Sequence, residues 1–142
     1  SLILGCAILD IKLNIGCPDK LNPDSVILSK ARSISKNNKS INIYNDPKLA
    51  VHNSNVLYTD VWASMGQENN AETKEKLFDG FTLNKQLIKE VDSKYIILHC
   101  LPAYRGKEIT EEIIESENSR IFVQSENRLH MQQALLAAIF AN

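Results

Sequence analysis

Short apolar runs recur along the chain, each closed by a proline, a polar cap or a charged segment. Residues 1–9 (SLILGCAIL) are apolar nearly all round and predict a buried helix, with Gly5, Cys6 and Ala7 allowing close approach to a sheet. Residues 12–17 (KLNIGC) alternate and predict a strand that stops at Pro18. A helix follows, with Asn22 as its N-cap, Pro23 in its first turn and Val26, Ile27, Ala31 and Ile34 on its apolar side. Residues 41–44 (INIY) predict a second strand, and Asn45-Asp46-Pro47 opens a short helix through Val51. The third strand, residues 55–59 (NVLYT), delivers Asp60 at its end, and residues 61–68 show no period and read as a loop.

A charged helix over residues 70–78, a turn at Asp79-Gly80 and a helix over residues 84–91 come next. The fourth strand, Tyr95-Ile96-Ile97-Leu98, ends abruptly at His99-Cys100, and Pro102 forbids its continuation. Thr110 caps a short helix with Glu111 and Glu112 near its positive end. Residues 120–123 (RIFV) predict a fifth strand, and residues 126–140 a final helix. Repeated strand–helix alternation predicts an α/β fold: a Rossmann-like, doubly wound parallel sheet in three α/β/α layers. Neither an internal repeat nor a linker divides residues 1–142.

Composition narrows the function classes. The 142 residues suffice for one well-buried domain. A net charge of −1 gives no reason to expect nucleic acid or an anionic membrane surface as partner. Apolar runs fall short of the roughly 20 residues a spanning helix needs. Cys6, Cys17 and Cys100 are odd in number and irregular in spacing, which fits neither a disulfide framework nor a zinc site and favours reduced thiols. The apolar opening at Ser1, with no methionine before it, reads as a helix entered part-way, so an upstream segment is expected.

In an open parallel sheet, ligands gather beyond the carboxyl ends of the strands. There the chain offers Asp60 with Ser64-Met65-Gly66, His99-Cys100, and Ser125-Glu126-Asn127-Arg128. Asp60 and Ser64 suit an ammonium group, the Met65-Gly66 amides suit a carboxylate, and Arg128 suits a carbonyl or phosphate oxygen. Together these are the groups that would recognise an α-amino acid. Each also has a plain structural reading: Asp60 as a cap, Ser64 as a loop hydroxyl, His99 as a hydrogen-bonding post, Cys100 as a small buried hydrophobe, and Arg128 as a surface ion-pair partner. Trp62 is expected to pack, and Glu126 and His130 to serve the helix surface.

Three blocks in order, Y-T-D-V-W-A-S-M-G-Q-E from Tyr58, H-C-L-P with Arg105-Gly106 from His99, and E-N-R-L-H from Glu126, resemble the ornithine-binding, carboxyl-terminal half of the ornithine carbamoyltransferases. The resemblance implies carbamoyl transfer from carbamoyl phosphate to the δ-amine of L-ornithine, giving citrulline and phosphate, with neither metal nor organic cofactor. It places the ornithine α-amino group on Asp60 and Ser64, its carboxylate near the Met65 backbone, and the δ-amine beside Cys100 and Asp60. His99 belongs to the same substrate-binding block. Carbonyls around Cys100-Leu101 would orient the amine, and Arg128 would polarise the carbamoyl oxygen. It also implies a cytoplasmic or organelle-matrix homotrimer.

Departures qualify the match. Tyr104 stands where members usually carry a second histidine. The S-T-R-T and H-P-x-Q segments of the family's amino-terminal carbamoyl phosphate domain do not occur, nor does the G-D-x-N-N strand that would lie centrally in the sheet. The chain is therefore expected to be the second domain of a longer protein, with a gap in its core and no activity alone. A transferase acting on putrescine or N-acetylornithine, and a non-catalytic amino-acid-binding or assembly module, are the competing readings.

Overall fold

A computed structural model describes residues 1–36, 40–63, 71–91 and 94–141, with the side chains of residues 71–73 excepted. The order is α1 (Leu2–Ile8), β1 (Leu13–Gly16), a 3-10 turn (Asp19–Leu21), α2 (Ser25–Ile34), β2 (Ile41–Tyr44), α3 (Pro47–Val51) and β3 (Val56–Thr59). It continues with α4 (Ala71–Leu77), α5 (Lys85–Ile88), β4 (Ile96–His99), α6 (Glu111–Ile114) and α7 (Ile121–Phe140). The fold is α/β and Rossmann-like, as the alternation of elements predicts. Its described strands form two parallel pairs, β1 with β2 and β3 with β4, instead of one continuous sheet. Asn14 and Gly16 of β1 and residues 56–59 of β3 line one cleft between these pairs, floored by Ala50, Val51 and Leu87.

Two cores match the two strand pairs. Ile97, Ile109, Ile113, Ile114 and Ile121 form the larger with Leu57, Leu83 and Leu87; Ala7, Leu28, Ala31 and Ile41 form the smaller. Caps explain several boundaries. The Asp46 carboxylate accepts the Lys48 N–H at 2.9 Å ahead of Pro47, and the Asn84 side chain accepts the Leu87 N–H at 2.9 Å. On the close side of β1, a Cβ at Gly16 would stand 2.9 Å from the Ala50 Cβ, so α3 packs here only because this residue has no side chain.

The structure corrects three expectations. Residues 120–123 are no strand. Parallel pairing stops at an isolated bridge between Ile97 and Ser119, and α7 starts at Ile121. A run as short as Ile121-Phe122-Val123 carries too little periodicity to separate strand from helix. Here only Ile121 is buried, and Val123 is 50 % exposed. The cap of α2 is Asp24, whose carboxylate accepts the Val26 and Ile27 N–H groups at 2.8 and 3.0 Å. Asn22 instead accepts from the Cys17 thiol and the Asn45 amide. Finally, α1 is buried on one side only: Ala7 packs on α2 while Leu2, Ile8 and Leu9 are exposed.

Ile121→Ala should therefore lower the unfolding free energy by about 2–5 kcal/mol. Val123→Ala should cost about 1 kcal/mol or less. Urea unfolding of both variants checks this, and equal losses would speak for alternate burial of a strand.

Candidate active site

β3 and β4 pair with Tyr58 opposite Leu98 and Thr59 opposite His99. The next residues, Asp60 and Cys100, therefore leave the sheet side by side. Side chains alternate along a strand, so Asp60 and Cys100 share one direction while His99 takes the other. The Cys100 thiol donates to Asp60 Oδ1 at 2.9 Å, and Oδ1 also accepts the Val61 N–H at 2.7 Å. Among the described residues, no hydrogen bond reaches the second carboxylate oxygen of Asp60.

His99 is 1 % exposed and supports this rim from beneath. Its Nδ1 accepts the Leu101 N–H at 2.9 Å, which puts the ring proton on Nε2, 3.1 Å from Glu108 Oε1. The same carboxylate oxygen accepts the Tyr104 N–H at 2.7 Å. Leu101 sits at φ +56°, a conformation costly for a branched side chain. The His99–Glu108 pair pins that turn at both ends, and Gly106, at φ +87°, closes the loop through its N–H to the Ile109 carbonyl. Both ring nitrogens of His99 are thus occupied inside the core, and its side chain does not face the rim.

The third group comes from α7. Arg128 Nη1 donates to the Cys100 carbonyl at 3.4 Å, and one turn earlier Gln124 Oε1 accepts the His99 N–H at 3.0 Å. Correct placement of Arg128 thus depends on α7 starting at Ile121. A hollow of about 640 Å³ runs along β4 beneath α7, lined by Leu98, Val123, Gln124, Asn127, Arg128 and Met131. Trp62 stacks on Phe78 with ring centroids 5.3 Å apart, which commits it to packing just beyond Asp60. Glu126 and His130 pair on the helix surface at 3.6 Å.

Burial holds the Cys100 thiol above its ordinary range, with the hydrogen bond and charge of Asp60 adding to the effect; the Tyr58 hydroxyl acts the other way. The protonated thiol is therefore the resting form near neutral pH, and a thiolate nucleophile is disfavoured. Cys6, Cys17 and Cys100 are all free thiols. Of the residues expected at the site, Asp60, Cys100 and Arg128 come together and Leu101 forms the adjoining turn. Ser64 and Met65 lie outside the described residues. Tyr58, Glu108 and Gln124 were not expected. The first is legible as the residue two before Asp60 on the same strand face, and the last as one turn from Arg128; nothing in the sequence marks Glu108.

Set against known proteins, residues 1–139 match the family model described as aspartate/ornithine carbamoyltransferase, Asp/Orn binding domain. The chain belongs to the aspartate/ornithine carbamoyltransferase family. The ornithine carbamoyltransferase of Prochlorococcus marinus subsp. pastoris is 52 % identical over 139 residues, covering 98 % of this chain and 45 % of that protein. The Nostoc punctiforme ornithine carbamoyltransferase is 49 % identical over the same share of each. The solved structure of ornithine carbamoyltransferase from Pyrococcus furiosus superposes with a TM-score of 0.87 at 41 % identity, covering 96 % of this chain and 44 % of that one. This chain thus spans less than half the length of the relatives it matches.

Glu108→Ala would leave the buried His99 ring N–H and the half-buried Tyr104 N–H without their shared acceptor. The expected cost is about 2–4 kcal/mol, read as a lower thermal midpoint. A loss below about 1 kcal/mol, typical of a surface change, would mean the pair does not hold the turn.

Proposed function

We propose that this chain is the ornithine-binding domain of an ornithine carbamoyltransferase, and that a carbamoyl phosphate domain lies on the remaining chain. The observation that carries the reading is the placement of Cys100 between two partners: its thiol on Asp60 at 2.9 Å and its carbonyl on Arg128 at 3.4 Å. Asp60 and Ser64 hold the α-amino group of ornithine, and the backbone at Met65 lies near its carboxylate. The δ-amine lies by Cys100 and the Asp60 carboxylate. With a lysine-like solution pKa near ~10.4, that amine must shed a proton before it can attack.

The amine nitrogen then bonds to the carbamoyl carbon, the carbon–oxygen bond to phosphate breaks, and phosphate leaves with the electron pair and takes up the proton that the new nitrogen–carbon bond forces off the amine. The carbonyls of Cys100 and Leu101 orient the amine and the carbamoyl NH2, and Arg128 takes the developing oxyanion. His99 contributes by holding the turn. A protonated Cys100 supports direct transfer without a covalent enzyme intermediate. Binding at the remote α end positions the nucleophile. The exposed apolar residues of α7, among them Leu129, Leu136 and Phe140, support burial of this helix by further protein, from the same longer chain or from a neighbouring subunit of a homotrimer. A cytoplasmic or organelle-matrix setting belongs to the same reading.

The full-length protein should form citrulline from ornithine and carbamoyl phosphate. Arg128→Leu should lower kcat by about 10²–10³-fold, and the 142-residue chain alone should form none. A full-length protein that prefers putrescine or N-acetylornithine, or an isolated chain that turns over, would overturn the reading.

A further inference from the structure

On the edge of β4 that faces away from β3, the Ile97 N–H donates to the Asn118 carbonyl at 3.0 Å, and the Ile97 carbonyl accepts the Arg120 N–H at 2.9 Å. Were this parallel ladder to run on, the Arg120 carbonyl would take the next N–H, that of His99. It does not, because α7 begins at Ile121 and the same carbonyl accepts the Gln124 N–H at 2.7 Å. His99 is 1 % exposed, so its N–H needs a partner inside the protein. Gln124 supplies one: its Oε1 accepts the His99 N–H at 3.0 Å. The residue whose main chain draws the ladder carbonyl into the helix thus replaces it with a side-chain oxygen.

Gln124 and Arg128 are four residues apart and share one face of α7. They engage successive residues of the strand end, Gln124 the N–H of His99 and Arg128 Nη1 the carbonyl of Cys100 at 3.4 Å. Ile121, the buried residue of α7, sets how deep the helix sits, but apolar contact is non-directional and leaves its rotation open. We propose that Gln124 is a positioning residue for Arg128: its bond to the His99 N–H fixes the register of α7 on β4, and that register brings the guanidinium to the Cys100 carbonyl. The register holds whatever reaction the site performs; only the effect on turnover rests on the carbamoyltransferase reading.

The test uses the full-length protein and two readouts, one of them free of chemistry. Gln124→Met keeps the length of the side chain and removes the acceptor, whereas Gln124→Glu keeps an acceptor oxygen at the same reach. In hydrogen-exchange mass spectrometry, Gln124→Met should speed exchange about two- to tenfold in peptides covering residues 96–100 and 121–131. Gln124→Glu should leave both at the wild-type rate. Exchange that is unmoved in Gln124→Met, or equally fast in Gln124→Glu, overturns the proposal. In citrulline formation, Gln124→Met should lower kcat about tenfold while the KM for ornithine changes less than about twofold. Added to Arg128→Leu, it should cost nothing more, because its effect runs through the guanidinium. An unchanged kcat, or a further loss in the double variant, likewise overturns the proposal. Should Gln124→Met fail to fold by circular dichroism, Gln124→Asn, one methylene too short to reach the N–H, takes its place with the same results expected. A wild-type protein that forms no citrulline sinks the transferase reading alone, and the exchange rates then decide this one.

Discussion

Parallel pairing of β3 with β4 is the constraint on which the site depends. Its register sets Thr59 against His99, and from this everything at the rim follows. A shift of one residue would exchange inward and outward faces, sending Cys100 into the core and His99 toward solvent. The buried side of the pair makes such a slip costly, because Leu57 and Ile97, 5 % and 0 % exposed, would lose their places among the isoleucines of the larger core. The apolar packing of that core thereby fixes the geometry of polar groups that take no part in it.

Beyond the strand ends, the chain holds its shape by polar contacts made inside. A left-handed Leu101 between Cys100 and Pro102 is not a conformation the chain adopts unaided. Histidine beneath the turn accepts the Leu101 N–H, and Glu108 fixes the histidine. The result is a rim on which Asp60, Cys100 and Arg128 meet, standing above a histidine and a carboxylate that are each 1 % exposed. Rigidity of this kind is what a site needs when reacting atoms must be held within a narrow range of distance and angle.

Much of this was legible in the sequence, for identifiable reasons. β2, β3 and β4 are short, β-branched and closed by breakers, and Asp46 and Asn84 announce their helices through side chains that cap them. Asp60, His99 and Cys100 could be placed at strand ends because a short apolar run stops abruptly at each. The segment 120–123 could not be read, since three apolar residues satisfy either period and tertiary docking of Ile121 decides between them. Asn22 has the look of a cap, but its side chain is taken by Cys17 and by Asn45, the latter 23 residues away. Glu108 lies in a charged stretch with the look of surface, and its burial follows from His99 nine residues earlier. Each of these readings turns on a tertiary contact that the local pattern does not encode.

The 20 residues of α7 span about 30 Å. Only its first turns are tied to the sheet, through Ile121, Gln124 and the reach of Arg128 to Cys100. The distal turns carry uncovered leucines, Ile139 and Phe140. Arg128 stands two turns into this rod, so any tilt of the distal turns would swing the guanidinium with it. Its reach to the Cys100 carbonyl is thereby set by the direction of the whole helix and not by the sheet alone.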